Sequence, residues 1–215
     1  MTPELGKIEQ VDRHGPAFIV GGGDSLRDFD FSLLKGRATY GANDAAIKLK
    51  TDVFVTIDRN YYKNRTEDIK QFVKGGGTAY VAMDRAHVYE ELIDGVTYLH
   101  RTRGTGMSLQ PDVLYGLNSG YATLNAALLE GRKEIILLGF DMHHKSGKSH
   151  WFDGYSWHRN KGDRLVRRWA GAFTEAVEDL RANGVQVVNC VGPLGSTVTA
   201  FPTMDIADLQ ERLQP

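Results

Sequence analysis

Five short segments carry residues whose types and order could do chemistry. Val20-Gly21-Gly22-Gly23-Asp24-Ser25-Leu26 follows an apolar run, and consecutive glycines let a backbone approach an anion and turn its N–H groups toward it. A phosphate suits Gly21, Gly22, Gly23 and Ser25. A merely tight turn would use the same residues, and the dinucleotide fingerprint spacing is absent. In Gly41-Ala42-Asn43-Asp44 the Asn43 amide offers a base or ribose both a donor and an acceptor; alternatively Asn43 or Asp44 caps the next helix. Asp58, in Thr56-Ile57-Asp58-Arg59, suits a hydroxyl or a metal-bound water, or an ion pair with Arg59. Asn118, Ser119 and Gly120 precede Tyr121 where a helix must start, and they either bind an anion or cap that helix. Asp141 ends the most apolar run, where a carboxylate faces the crevice that open α/β sheets use for ligands.

Residues 142–162 hold four of the seven histidines together with Trp151, Phe152, Tyr155 and Trp157. Aperiodic loops of this length in a compact domain are usually functional, so the segment is expected to be a lid. His143, His144 and His150 with Asp141 suggest a divalent cation. Adjacent histidines cannot aim at one ion from a regular strand or helix, however, and no metal site is assigned. His158, just ahead of a long helix, suits a general acid or base, and His150 is the second candidate. Arg101 and Arg103 open a turn-rich segment, 101–117, and suit phosphates.

The elements that must position these residues are legible in the apolar pattern. Runs at 17–20, 39–42, 53–57, 79–82, 97–99, 135–138 and 185–189 are continuous rather than alternating, as strands covered on both faces require. Helical periodicity spans 119–130, with Tyr121, Leu124 and Leu128 inward. It recurs over 163–183, with Leu165, Val166, Trp169, Phe173, Val177 and Leu180 at spacings of three and four. Asp163 is the expected N-cap of the second helix, and Asn183-Gly184 its stop signal. Alternating strands and helices predict one Rossmann-like α/β domain over 1–215, its sheet mostly parallel and doubly wound. Its ligand loops then line the carboxyl ends of the strands.

Composition removes several alternatives. With 26 Lys plus Arg against 27 Asp plus Glu, the formal charge is -1, so no global field attracts nucleic acid or an anionic membrane. The single cysteine, Cys190, excludes an internal disulfide framework and fits a reducing compartment. No signal-peptide pattern opens the chain and no apolar run nears the roughly 20 residues of a membrane span. A cytoplasmic protein is expected, one whose composition is compatible with a homo-oligomer.

Taken in order, Gly21-Gly22-Gly23-Asp24-Ser25-Leu26, Gly41-Ala42-Asn43-Asp44, Asn118-Ser119-Gly120-Tyr121 and Gly139-Phe140-Asp141 resemble a known superfamily. It joins archaeal 6-hydroxymethylpterin diphosphokinase-like proteins to bacterial lipooligosaccharide sialyltransferases and includes phage and prophage members. The resemblance covers roughly 18–213. It implies that Gly21, Gly23, Ser25, Asn43, Ser119 and Gly120 hold a nucleotide and that His158 is the base. Asp24 stands where the family's turn has proline, and the Tyr pair that contacts phosphate has no clear counterpart. Both departures count against a CMP-sialic acid donor.

Three functions follow as expectations. The first is a nucleotide-dependent transferase, glycosyltransferase-like, that moves a group from a nucleotide-linked donor to an acceptor hydroxyl, with His158 as base and Arg101 or Arg103 near the phosphates. The second is a diphosphokinase in which Asp58 and Asp141 hold Mg²⁺ bridging ATP phosphates. The third is a non-catalytic nucleotide-binding phage protein, acting in the host cytoplasm, that keeps the glycine turn and Asn43 but has no need of His158.

Overall fold

The computed structural model describes residues 3–11, 14–84, 91–143, 150–152 and 163–214. Nine strands form one sheet, and every pairing is parallel. In chain order they are β1 (Ala17–Val20), β2 (Ala38–Ala42), β3 (Val53–Thr56), β4 (Thr78–Met83), β5 (Val96–Thr102), β6 (Val113–Tyr115), β7 (Glu134–Leu138), β8 (Gln186–Val191) and β9 (Thr203–Asp205). The helices are α1 (Asp44–Leu49), α2 (Arg59–Asn64), α3 (Thr66–Lys74), α4 (Ser119–Leu129), α5 (Asp163–Ala182) and α6 (Ile206–Leu213). This is the Rossmann-like α/β architecture expected from the alternation of elements.

Strand order is β6-β5-β4-β3-β2-β1-β7-β8-β9. The chain winds outward from β1 to β6, then returns to lay β7 on the other side of β1. Connections leaving β1 and β7 therefore diverge at one point, where doubly wound sheets open their ligand crevice. All four residues of β1 are buried, as are all four of β3, which accounts for their unbroken apolar runs.

Two strands escape the sequence pattern. β6 and β9 are three residues each and lie on the two edges of the sheet, and short edge strands are one way to blunt an edge against unwanted pairing. Segment 101–117 is accordingly not a simple loop: Arg101 is still within β5, and β6 follows.

The helices also differ in their inner faces. Every residue of α4 is buried, not only Tyr121, Leu124 and Leu128. The helix lies against β1, β2, β3 and β6, and Tyr121 meets Phe173 of α5 edge-on, centroids 5.2 Å apart. In α5 the buried stripe is Val166, Ala170, Phe173, Ala176 and Leu180, while Leu165 is exposed. Adjacent Leu165 and Val166 cannot both face the sheet, and small alanines fill positions that a search for large residues passes over.

At the C-terminal end of α4 a polar cluster is sealed inside. The Tyr40 hydroxyl donates to Glu130 Oε2 at 2.5 Å and accepts from Arg132 Nε at 2.7 Å, and the Tyr80 hydroxyl donates to Glu130 Oε1 at 2.8 Å. Burial, and then the charge of Glu130, hold the Tyr40 phenol above its ordinary range. Glu130 and Arg132 are both almost fully buried, so each is tolerable only with the other nearby. Glu130→Ala should lower the unfolding free energy by about 3–5 kcal/mol, since it leaves buried polar groups unpartnered. Urea denaturation measures this, and a loss below about 1 kcal/mol, typical of exposed pairs, would show that the cluster is not holding α4 to the sheet.

Candidate functional site

The carboxyl ends of β1, β2, β3, β5 and β7 surround a cleft of about 370 Å³, within the usual size of small-molecule sites. Gly21, Gly22, Gly23, Asn43, Asp58, Arg101, Asn118, Ser119, Gly120, Asp141 and His150 all line it. Residues as far apart in the chain as Gly21 and His150 thus converge because a parallel sheet presents all its strand ends on one edge. Ser25 lies just behind this wall, bonded to Asp141. Arg103 lines a separate groove. His158, together with most of 142–162, lies outside the described residues.

The glycine turn is tied to the loop leaving β7. Gly21 N–H donates to Leu138 C=O at 2.7 Å and Gly23 N–H to Gly139 C=O at 2.9 Å. A Cβ on Gly21 or Gly23 would lie 2.7 Å from the Gly139 carbonyl oxygen, so two of the three glycines are required by close backbone approach. Asp141 completes the tie: Oδ2 accepts the Ser25 N–H at 2.9 Å and Oδ1 accepts the Ser25 hydroxyl at 2.5 Å. Gly22 differs, because the atoms nearest its Cβ would be those of the His150 ring, 2.5 Å to Cδ2, and not backbone. The charge at Asp24 is balanced locally by an ion pair with Arg27.

Other polar groups divide between scaffold and cleft. Asp58 caps α2, its Oδ1 accepting from Asn60 and Tyr61 N–H at 2.9 and 3.1 Å. Ser119 Oγ accepts the Ile57 N–H at 3.3 Å, joining α4 to the end of β3. Asn118 caps α4 through Oδ1, which accepts the Tyr121 N–H at 2.9 Å. That bond fixes the amide, and its Nδ2 has no hydrogen-bond partner. Asn43 makes no capping bond; its backbone is held at φ 54° and its Oδ1 has no partner either. A left-handed non-glycine residue at a strand end is the kind of strain that clusters at functional sites.

Arg101 is the cation on the wall. Its Nε and Nη2 donate to the Gly116 carbonyl at 3.3 Å each, and Nη1 donates to the Ile57 carbonyl at 3.4 Å. No carboxylate among the described residues pairs with it. Burial first, and then the like charge of Arg103, pull its pKa below the ordinary arginine value, against the attraction of Asp84 and Asp58. It stays charged at neutral pH. Arg59, exposed at the start of α2, lines the same cleft.

Two further segments shape the cleft. Residues 150–152 dock on the glycine turn: Trp151 N–H donates to Gly22 C=O at 2.9 Å and its indole Nε1–H to Gly21 C=O at 3.1 Å. His150 stacks on Phe152, centroids 5.0 Å apart. Opposite, residues 195–197 hold the loop after β7. Ser196 Oγ donates to Phe140 C=O at 2.6 Å, Thr197 N–H to Asp141 C=O at 2.9 Å and Thr197 Oγ1 to Met142 C=O at 2.6 Å. These bonds hold Met142 at φ 50°. His143 is placed by the same loop, Nε2 lying 3.0 Å from the Gly195 carbonyl.

Among the described residues no cluster of three or more His, Cys, Asp or Glu could hold a metal ion. Sequence reasoning did not single out Arg59, Met142 or Trp169 as site residues, yet all three line the cleft. Trp169 reads as part of an apolar helix stripe, which conceals that its ring faces the site. No helix among the described residues is long and apolar enough to cross a membrane. No family model matches the chain, and no curated protein matches it.

The glycines separate by what a side chain would strike. Gly22→Val should displace His150 with a stability change within about 1 kcal/mol, whereas Gly23→Val, forced against Asp141 and the Gly139 carbonyl, should cost about 2–4 kcal/mol. Thermal unfolding compares them, and equal losses would show that the turn is not stitched to β7 in this way.

Proposed function

We propose that the cleft binds the phosphates of a nucleotide-linked donor and that the protein transfers the donor's glycosyl group to an acceptor hydroxyl. The observation that carries this reading is Arg101: a half-buried guanidinium on the cleft wall, bonded to backbone carbonyls and to no described carboxylate. Such a group attracts an anion. It faces the same cleft as the N-terminal end of α4, whose free N–H groups and dipole also favour negative charge. Asn118 Nδ2 and Asn43 Oδ1 add a donor and an acceptor for ribose or base, and a ligand that pairs them relieves about 1–3 kcal/mol of desolvation for each. The motif order noted above resembles a superfamily with such sites and supports the same assignment.

In the transfer, the acceptor oxygen bonds to the anomeric carbon as the bond from that carbon to the donor phosphate breaks. The acceptor proton passes to a histidine base, and the bond's electron pair leaves with the phosphate. Arg101 and the α4 N–H groups stabilise the charge that grows there. His158 is the proposed base; His150, beside Gly22, is the alternative. The diphosphokinase reading needs Asp58 and Asp141 to face a metal. Both Asp141 oxygens bond to Ser25 and Asp58 Oδ1 caps α2, which favours the donor-transfer reading.

A thermal-shift screen of nucleotides and nucleotide sugars, with and without Mg²⁺, tests this directly. A ligand at a hundred times its Kd adds about 2.7 kcal/mol, worth roughly 5–10 °C in a chain of this size. Arg101→Met should weaken the best ligand by roughly ten- to a hundred-fold in a chain that stays folded, its unliganded Tm lowered only by the lost bonds to the Gly116 and Ile57 carbonyls. Unchanged affinity in that variant would remove Arg101 and the reading built on it.

The base is tested by turnover of the donor so found. His158→Ala should lower kcat by roughly 10²–10⁴-fold, with nucleotide affinity within a few-fold. A severe His150→Ala beside a near-normal His158→Ala would reassign the base, and no turnover under any condition would leave a nucleotide-binding protein without catalysis.

A further inference from the structure

We propose that a groove beside the cleft, between the β5–β6 connection and α5, is a second anion subsite, which receives a phosphate or carboxylate group of the acceptor. The acceptor role rests on the reading of the cleft as the donor site. The groove encloses about 430 Å³ and adjoins the cleft, since Leu117 lines both. Between them stands Gly116, which lines the groove and whose carbonyl receives two of the Arg101 bonds. An acceptor held in the groove therefore lies next to the proposed phosphate site, across the wall formed by Gly116 and Leu117.

The groove walls carry the charge. Arg103 stands on one side and Arg168 on the other. Both are exposed, and neither pairs with a carboxylate among the described residues. Planar guanidinium forks on two walls of one groove suit the oxygens of a phosphate or carboxylate. Gly104 lets the Arg103 loop lie flat, because a Cβ there would come within 2.6 Å of the Tyr115 ring. Glu175, also in the lining, adds a hydrogen-bond acceptor for a hydroxyl next to the anion.

On α5, Arg168, Gly171, Ala172 and Glu175 follow the three- and four-residue spacing of one helix face. Gly171 is the informative member. It lies well inside a helix of 20 residues, where glycine is the poorest choice after proline. Close packing does not require it, since a Cβ there would meet nothing within 4 Å. Its consequence is an open groove floor between two arginines.

The test is a titration of the ¹⁵N-labelled full chain with inorganic phosphate and, separately, with succinate, at constant ionic strength held by chloride. Saturable amide shifts are expected at Gly104, Thr105, Gly171 and Ala172, distinct from a set at Gly22 and Gly120. The stronger of the two probes identifies the group as phosphate or carboxylate. Arg103→Met with Arg168→Met should weaken the groove response at least ten-fold and leave the cleft set unchanged, while Arg101→Met does the reverse. Gly171→Leu should close the groove with Tm equal to or above that of the parent. Groove shifts that are absent, or that persist in the Arg103 and Arg168 double variant, overturn the subsite. Groove shifts with a silent cleft keep the subsite and overturn the donor-site reading instead.

Discussion

The Gly21 N–H bonds to the carbonyl of Leu138, the last paired residue of β7, and the Gly23 N–H to that of Gly139 just beyond it. The chain leaving β1 and the chain leaving β7 are thus stitched together past the end of the sheet, at the point where their connections must diverge. Asp141 locks the join from the side through the Ser25 N–H and hydroxyl. A carboxylate that accepts two such bonds while nearly fully buried can be tolerated there, because its charge is met by donors fixed in place. Segment 150–152 then docks on the outer carbonyls of the same turn. One wall of the cleft is therefore built jointly from 21–25, 138–141 and 150–152.

Against that wall the remaining polar groups sort by what the backbone has already claimed. Asp58, Ser119 and the Asn118 oxygen answer N–H groups exposed at the ends of helices or strands, an obligation that every helix start carries. The Asn118 nitrogen and the Asn43 oxygen are the surplus at the cleft, while Arg101 donates to carbonyls and keeps a charge that no described carboxylate meets. Unpartnered buried polar atoms cost free energy, and a fold retains them most readily where a ligand completes the bonding.

Backbone strain follows the same division. Asn43 and Met142 both take left-handed conformations at strand exits around the cleft. Met142 is held there by Ser196 and Thr197, whose bonds reach three successive carbonyls of the loop after β7. Strain of this kind persists only where the surroundings over-determine it. The segment that supplies the restraint, 195–197, lies between β8 and β9.

How much was legible in the chain depends on the range of the interaction concerned. Buried parallel strands write themselves as continuous apolar runs, and so β1, β3 and β7 were readable to within a residue at each end, and the α/β class with them. The turns after those strands were readable by residue type, although Gly21 and Gly23 are required by the approach of the Gly139 carbonyl and not by the turn itself. Edge strands β6 and β9 were not, since three residues are too few to carry a periodic signal. Nor could sequence separate Arg101 from Arg103, two positions apart on or just past β5, one facing the cleft and the other the neighbouring groove. It could not tell Asp141 as a clamp from Asp141 as a free carboxylate, or Gly22 from Gly21 and Gly23. The Asp141 and glycine distinctions are made by partners more than a hundred residues away, and the arginine one by Ile57 and Gly116; only the folded sheet brings these groups together.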